Sequence, residues 1–489
     1  MLPLIRVNNA RCRIASQKIL DIPEFSLSTG QHYCVFGGNG AGKSLLSSLL
    51  QARLIQGAAA VQYQTGFSPQ HDILEVSFEE QQKLWAIDTR HDISEFSDAA
   101  QDQGTSVRQL VLGANQADAR YDEIMRLLAL ERIAEQGIRY LSSGQCRKAM
   151  LARALFQRPK LLILDEPLES VDKATQGLLR QALEQWMSVD TCTVLLCRRA
   201  RDILPGISHL ALMQDLQLIQ HGPKTQIQNL EAFTQIKERR YAVPQFLPVG
   251  ADVDESHALT PKVPLIALHE VQAGYHGKLV LDGFSWTMNK GQHTLIEGPN
   301  GCGKSTLLSL INGENHMAYG QEVYLFGRKR GTGETVWDVK RRFGVVSNEI
   351  HNRYIKGWRV IDVVVSGFFD SIGLYDDSGA SQQQTAKAWL GAVGIESLCK
   401  DYYHSLSFGQ QRLVLLARAM VKQPSILILD EACVGLDDAY RDLILKLTDI
   451  IAAIGRTHIV FVSHTDGEVP SCINQKISFT PSGVVVSSI

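Results

Sequence analysis

Two short runs in this chain have the residue types and spacing needed to hold a polyphosphate. Gly37-Gly38-Asn39-Gly40-Ala41-Gly42-Lys43-Ser44 and Gly298-Pro299-Asn300-Gly301-Cys302-Gly303-Lys304-Ser305 place their glycines at the same intervals and end in Lys-Ser, with Thr306 next in the second. Glycines so spaced let successive backbone N–H groups curl around an anion, and the lysine then reaches the outer phosphate oxygens. Ser44 and Ser305 are placed to ligand Mg²⁺ through their hydroxyls. Each run is followed by an apolar stretch ending in two acids, Leu161-Leu-Ile-Leu-Asp165-Glu166 and Ile426-Leu-Ile-Leu-Asp430-Glu431. Asp165 and Asp430 can hold the metal through water, while Glu166 and Glu431 orient or deprotonate an attacking water. The plainer alternative is that these acids only close a strand. A nucleotide with Mg²⁺ is the expected ligand.

The elements that must position these residues are also legible. Each glycine run follows a short apolar strand, Tyr33-Cys-Val-Phe36 or Thr294-Leu-Ile296, and precedes a helical run from Leu45 or Thr306. The four apolar residues before each Asp-Glu pair describe buried parallel strands, and α/β sheets take ligands at the C-terminal edge of such strands. A third element recurs as Leu141-Ser142-Ser143-Gly144-Gln145 and Leu406-Ser407-Phe408-Gly409-Gln410, each opening a helix that contains Leu-Ala-Arg-Ala. The third element and the acidic strand both recur 265 residues on, and the lysines are 261 apart. Three motifs in one order with nearly one offset mean a duplicated unit. The expected division is residues 1–231, a linker 232–263 carrying Pro244, Pro248 and Pro261, and residues 264–489. So short a linker keeps the halves at high effective concentration for each other.

Bulk properties narrow the class. The 489 residues exceed one compact core and fit two domains, with 45% hydrophobic and 20% charged residues. A formal charge of −2 argues against a whole-chain polyelectrolyte role on nucleic acid or anionic membrane. No apolar run reaches the roughly 18–20 residues that span a bilayer, and the start lacks a signal-peptide layout, so a cytoplasmic location is expected. Nine scattered cysteines without a CxxC pair read as buried thiols rather than a metal site or disulfide framework.

The combination of glycine run, Leu-Ser-x-Gly-Gln and Asp-Glu strand in both halves resembles the ATP-binding-cassette (ABC) ATPases over nearly the whole chain. The resemblance implies an α/β fold of two P-loop cassettes, each a RecA-like parallel-sheet core with a helical signature subdomain, packed head to tail. It implies two composite ATP sites. One would join Gly37, Asn39, Gly40, Gly42, Lys43, Ser44, Asp165 and Glu166 to Ser407 and Gly409. The other would join Gly298, Asn300, Gly301, Gly303, Lys304, Ser305, Thr306, Asp430 and Glu431 to Ser142 and Gly144. Tyr275 matches the aromatic that stacks on adenine, and His464 matches the switch histidine, though it also fits an ordinary strand-end histidine. The first half departs from the pattern, with Arg11 or Arg13 near the aromatic position and Arg198 or Arg199 where the histidine is expected. The metal-sensing glutamine is replaced near Phe78 and at Asn348, with Gln81 or Gln82 as substitutes, and Asp172 and Asp437 fit the loop that connects the sites. Asymmetric sites are therefore expected, with the site of Lys304, Glu431 and His464 carrying most turnover and the Lys43 site binding ATP and turning over slowly or not at all, while Glu166 keeps a second catalytic site open.

The run Leu325–Asp338 with Ser366–Gly373 is similar to a tandem-cassette branch of that family associated with molybdate uptake. On that resemblance the chain is the energising subunit of an importer, with permease subunits on other chains and a peripheral place on the membrane's inner face. The other reading is an ATP switch acting on ribosomes, DNA or gene regulation, and the short linker disfavours a ribosomal role. Excision-type DNA enzymes carry zinc-binding cysteine pairs absent here. Residues 76–140 and 346–404 are the expected partner-coupling subdomains, and Phe368, Phe369 and Tyr375 fall in the second. The cluster Arg328-Lys329-Arg330 reads as a solvated basic turn or a docking patch.

Overall fold

The computed structural model describes residues 3–15, 18–54, 60–90, 104–169, 171, 173–187, 191–244, 246–248, 263–275, 278–299, 301–354, 357–373, 378–463, 468–480 and 483–489. The chain divides into two units, Met1–Arg239 and Arg240–Ile489.

In the first unit the strands are β1 (Ile5–Ala15), β2 (Lys18–Leu27), β3 (His32–Phe36), β4 (Val61–Tyr63), β5 (Ile73–Val76), β6 (Leu161–Asp165), β7 (Cys192–Cys197), β8 (His209–Gln214) and β9 (Gln217–Pro223). They form one sheet in the order β4-β1-β2-β9-β8-β3-β7-β6-β5. β5, β6, β7, β3 and β8 run parallel, and β9 returns antiparallel to β8. All five residues of β3 and the four apolar residues of β6 are buried. Along these strands alternate side chains enter two different cores. Phe36, Leu162 and Leu164 pack on one side, and Val35, Leu161 and Ile163 on the other. Two buried faces explain why the sequence reads as continuous apolar runs rather than alternation, each fully buried Leu or Ile contributing about 1.5–3 kcal/mol.

The second unit repeats the plan. Its strands are β10 (Ile266–Tyr275), β11 (Lys278–Met288), β12 (Thr294–Glu297), β13 (Glu322–Leu325), β14 (Arg328–Lys329), β15 (Phe343–Val346), β16 (Ile426–Asp430), β17 (His458–Ser463), β18 (Gln475–Thr480) and β19 (Gly483–Ser488). The order β15-β16-β17-β12-β18-β19 is that of β5-β6-β7-β3-β8-β9, with β19 again antiparallel at the edge. An antiparallel sheet β11-β10-β13-β14 accompanies it. In both units the strand bearing the acids is thus separated from the strand bearing the glycine loop by one intervening strand, β7 or β17.

Part of the stretch read as a linker is folded. Residues Glu231–Lys237 form a helix whose Phe233 meets Phe36 of the first unit at 5.2 Å between ring centroids. Tyr241 packs against Tyr440 with 4.4 Å between ring centroids, and Leu247 is buried in the second unit's core. All nine cysteines are thiols, six of them buried. Among the described residues no helix is long and apolar enough to cross a membrane.

Candidate functional site

The two glycine loops have matching geometry. Lys43 Nζ donates to the carbonyls of Gly37 (2.8 Å) and Gly38 (3.1 Å), and Lys304 Nζ to those of Gly298 (2.8 Å) and Pro299 (3.0 Å). Each lysine begins a helix, Lys43–Leu50 or Lys304–Asn312, entered through a left-handed glycine, Gly42 (φ 100°) or Gly303 (φ 111°). The loops are also tight. A Cβ on Gly37 would sit 2.3 Å from the Met213 carbonyl oxygen, and one on Gly303 1.9 Å from a Val280 methyl. Space requires glycine at both positions, and at Gly303 the left-handed backbone requires it as well. A cationic side chain folded back over a helix N-terminus is an arrangement for binding an anion.

The acids stand at the C-terminal edge of the same sheets. Ser44 Oγ lies 3.1 Å from Asp165 Oδ2, so the expected metal ligands of the first half are already neighbours. Both glutamates adopt positive φ, 46° at Glu166 and 51° at Glu431, a sparsely populated conformation for a non-glycine residue and a local cost of order 1–3 kcal/mol. Each is tied by its N–H to the adjacent strand, Glu166 to the Leu196 carbonyl (3.3 Å) and Glu431 to that of Val462 (3.2 Å).

Their side-chain surroundings differ. Arg198 Nε forms an ion pair with Glu166 Oε1 at 2.9 Å, with the arginine and glutamate side chains 13% and 11% exposed. The same guanidinium also pairs with Glu169. Arg147, buried in the helix Ser143–Gln157, donates to the Glu166 carbonyl at 3.0 Å. Burial pushes the Glu166 carboxyl up to about 7 while Arg198 and Lys43 pull it down. Burial works against the charge of Arg198, but Glu166 and Glu169 more than compensate and raise its pKa. The geometry is that of a charged pair.

Strand register decides which arginine stands where the second half has histidine. Asp165 pairs with Leu196, and Asp430 with Val462. Two residues beyond these partners come Arg198 and His464, so Arg198 rather than Arg199 takes the position. The residue 265 places after Glu169 is Val434, which carries no charge. In the second half burial, followed by repulsion from Glu431, raises Asp430 to about 6. Arg412, the counterpart of Arg147, bonds the side chain of Asn348.

The Leu-Ser-x-Gly-Gln elements are helix starts with a physical logic of their own. Ser142 and Ser407 are N-caps whose hydroxyls accept from the N–H of Gln145 and Gln410, and those glutamine side chains accept from the serine N–H at 2.9 Å. Ser-x-x-Gln is therefore a capping box. Gly409 meets Tyr440, where a Cβ would come within 2.2 Å of the ring, whereas a Cβ on Gly144 would find ordinary contacts from 3.6 Å.

A family profile described as ABC transporter matches residues 20–169 and 281–434. The chain belongs to the ABC family. The ABC transporter ATP-binding protein ModF of Escherichia coli K12 is 34% identical over 475 residues, covering 96% of each chain, in keeping with the resemblance carried by Leu325–Asp338. An uncharacterized ABC transporter ATP-binding protein of Schizosaccharomyces pombe is 26% identical, covering 94% of this chain and 95% of its own. The same fold occurs in a structure described as a model of ribosome-bound archaeal Pelota and ABCE1, with TM-score 0.59 at 16% identity over 98% of this chain and 78% of that one. This chain is thus a tandem ABC ATP-binding protein with two α/β cassettes, of a kind that typically binds ATP with Mg²⁺.

Not every residue singled out in this ABC protein can be placed. Asn300, His464, Asp172 and Tyr375 lie outside the described residues, as does the side chain of Tyr275. Arg11 and Arg13 are exposed on β1, and Arg11 pairs with Asp21 at 3.6 Å. Asp437 is a helix N-cap, accepting from the Tyr440 N–H at 2.8 Å. Gln82 is exposed, while Gln81 is fully buried within the helix Phe78–Arg90. Phe368 and Phe369 pack partly buried against the second unit's core. The basic turn is corrected in one respect. Arg330 is not solvated: its side chain is 1% exposed, paired with Glu334 at 2.7 Å and bonded to the Tyr319 hydroxyl at 3.2 Å. Glu334 also caps the N–H groups of Gly331 and Thr332, so the arginine holds a turn together from inside. Motif reading did not mark Arg147, Glu169 or Arg412. The repeat offset was the available signal for the two arginines, while Glu169 shows itself only in contact.

Proposed function

We propose that this ABC protein binds two ATP molecules and hydrolyses ATP chiefly at the site built on Lys304, Ser305, Asp430, Glu431 and His464. The observation that carries the reading is the contrast at the ends of β6 and β16, where Glu166 is paired with Arg198 and the second half has Val434 and His464 at the corresponding positions. Lys43 and Lys304 bind the β and γ oxygens of their nucleotides. Tyr275 stacks on adenine in the second half. On the family resemblance, Ser407 and Gly409 complete the nucleotide site of Lys43, and Ser142 and Gly144 that of Lys304.

The oxygens present suit Mg²⁺, a hard cation that takes hydroxyl and carboxylate ligands. Ser44 and Asp165 already lie 3.1 Å apart, and Asp430, whose ionisation burial resists, gains from a neighbouring cation. Bound Mg²⁺ supplies neutralisation of the charge on the transferring phosphoryl group. Glu431 accepts a proton from the water whose oxygen bonds to the γ phosphorus as the bridging bond to ADP breaks. Its strained backbone fixes where the carboxylate starts, which favours positioning over flexibility.

The test is steady-state and single-turnover ATP hydrolysis by the purified chain. Glu431→Gln should abolish turnover, while Glu166→Gln should leave most of it. Equal losses would mean two cooperating catalytic sites.

For the cellular role, we favour the energising subunit of an ABC importer, with molybdate as cargo on the strength of the Leu325–Asp338 resemblance. Permease subunits on other chains would place the protein on the inner face of the membrane. The alternative is an ABC switch on ribosomes, DNA or gene regulation. Fractionation of cells expressing the tagged full chain separates the two. Recovery with membranes and a polytopic permease supports the importer, and recovery with ribosomes or DNA overturns it.

A further inference from the structure

We propose that Arg198 is a positioning residue that clamps Glu166 and makes the first nucleotide site one that keeps its ATP intact through repeated turnovers of the second. The inference rests on reading Lys43, Ser44 and Asp165 as an ATP site. It goes further by naming the residue responsible and the fate of the nucleotide.

The duplication within the chain supplies the comparison. Beside Glu166 the first half has Glu169 and Arg198, and at the matching sequence positions the second half has valine and histidine, Val434 and His464. These two differences are not independent, because Glu169 and Arg198 form an ion pair with each other. A lone arginine would put an uncompensated second cation beside Lys43, and a lone glutamate would add a third acid beside Asp165 and Glu166. Together they build a nearly neutral buried cluster in which Glu166 is the shared anion. A buried pair of this kind is costly to break, because removing one partner strands a charge.

A general base needs a carboxylate lone pair directed at water. Arg198 Nε sits 2.9 Å from Glu166 Oε1 and, with both side chains largely buried, holds that oxygen in an ion pair instead of leaving it to a water. The backbone cannot relieve the clamp. The Glu166 N–H is bonded to Leu196 and its carbonyl to Arg147, with φ held at 46°. To reach a water near the γ-phosphate, Glu166 must leave Arg198, which remains paired to Glu169. Phosphate binding by Lys43 and the helix N-terminus is untouched by this pairing, so binding persists where hydrolysis stops.

The experiment uses the full chain and ATP labelled on the α-phosphate. After many turnovers by the wild type and removal of free nucleotide, one equivalent per chain should be recovered as ATP. In Glu431→Gln, single-turnover phosphate release should stay at background. Adding Arg198→His should raise it at least tenfold and convert the retained ATP to ADP, and adding Glu166→Gln to that double variant should remove the gain. Because Arg198→His removes an ion pair from Glu169, Arg198→Gln with Glu169→Gln serves as the second variant, its melting temperature verifying the fold. Variants that fold, bind two ATP and remain inactive would overturn the clamp. Loss of ATP affinity on replacing Arg198 would also overturn it, because Arg198 would then be a phosphate ligand. If Lys43→Ala leaves both equivalents of ATP bound, the underlying assignment of the first site fails instead.

Discussion

Gly144 and Gly409 occupy the same place in the two signature elements, yet only one is fixed by packing. The Gly409 Cα faces the ring of Tyr440, itself buried and packed against Tyr241, so an added methyl has no room. Overpacking of this kind costs about 1–3 kcal/mol. Gly409→Ala should therefore lower the melting temperature by roughly 4–8 °C, while Gly144→Ala should leave it within about 1 °C. Differential scanning calorimetry of both variants decides the matter, and equal shifts would mean that the Tyr440 ring moves aside freely. The same comparison isolates function from stability, since loss of ATPase activity in Gly144→Ala without a change in melting would point to the nucleotide rather than to packing.

At the level of elements, the helix Phe408–Met420 links several candidate groups. Its N-cap is Ser407, its buried Arg412 reaches Asn348 at the start of the helix Asn348–Arg353, and His351 of that helix bonds the Tyr403 hydroxyl at 3.0 Å and meets the Phe408 ring. The segment after β15 and the signature are thus mechanically one body within the second unit. Ser407 has two separable duties, the cap and the proposed contact with phosphate. Ser407→Ala should cost about 1 kcal/mol as a lost N-cap, a fall of roughly 2–4 °C in melting temperature. Ser407→Asp retains a good cap and should melt like the wild type. Both should lose ATP hydrolysis, because alanine removes the hydroxyl and aspartate sets a negative charge against the nucleotide. Recovery of activity in Ser407→Asp would restrict the serine to capping.

For the molecule as a whole, acid stability is set by groups of opposite sign. Burial lowers His293 and His458, and lowers His351 to about 4 with help from Arg412. A histidine whose folded pKa is depressed binds fewer protons folded than unfolded. Its contribution is complete above the unfolded value near 6.5 and is lost as pH falls through the folded value. Asp430 acts the other way. Raised to about 6, it favours folding most below 3.8, and that contribution fades as pH rises through 6. Melting temperatures measured from pH 7 to pH 4 should fall less steeply in His351→Gln than in the wild type. In Asp430→Asn they should fall more steeply, since the opposing term is gone. Parallel curves for all three proteins would remove both groups from the balance.

Much of this architecture was legible because it depends on local requirements. Glycine loops need glycine for backbone conformation and closeness, buried parallel strands need unbroken apolar runs, and Ser-x-x-Gln caps a helix through its own side chains. The repeat offset then carried each feature from one half to the other, giving two cassettes, their nucleotide motifs and the family. What the sequence left open were pairings across strands. It offered Arg198 or Arg199, and only the register of β6 with β7 selected Arg198 and set it against Glu166 and Glu169. It read Arg330 as solvated, whereas Glu334 and Tyr319 bury it. A charge is placed by the partner that neutralises it, and partners distant in sequence become neighbours only when the sheet has formed.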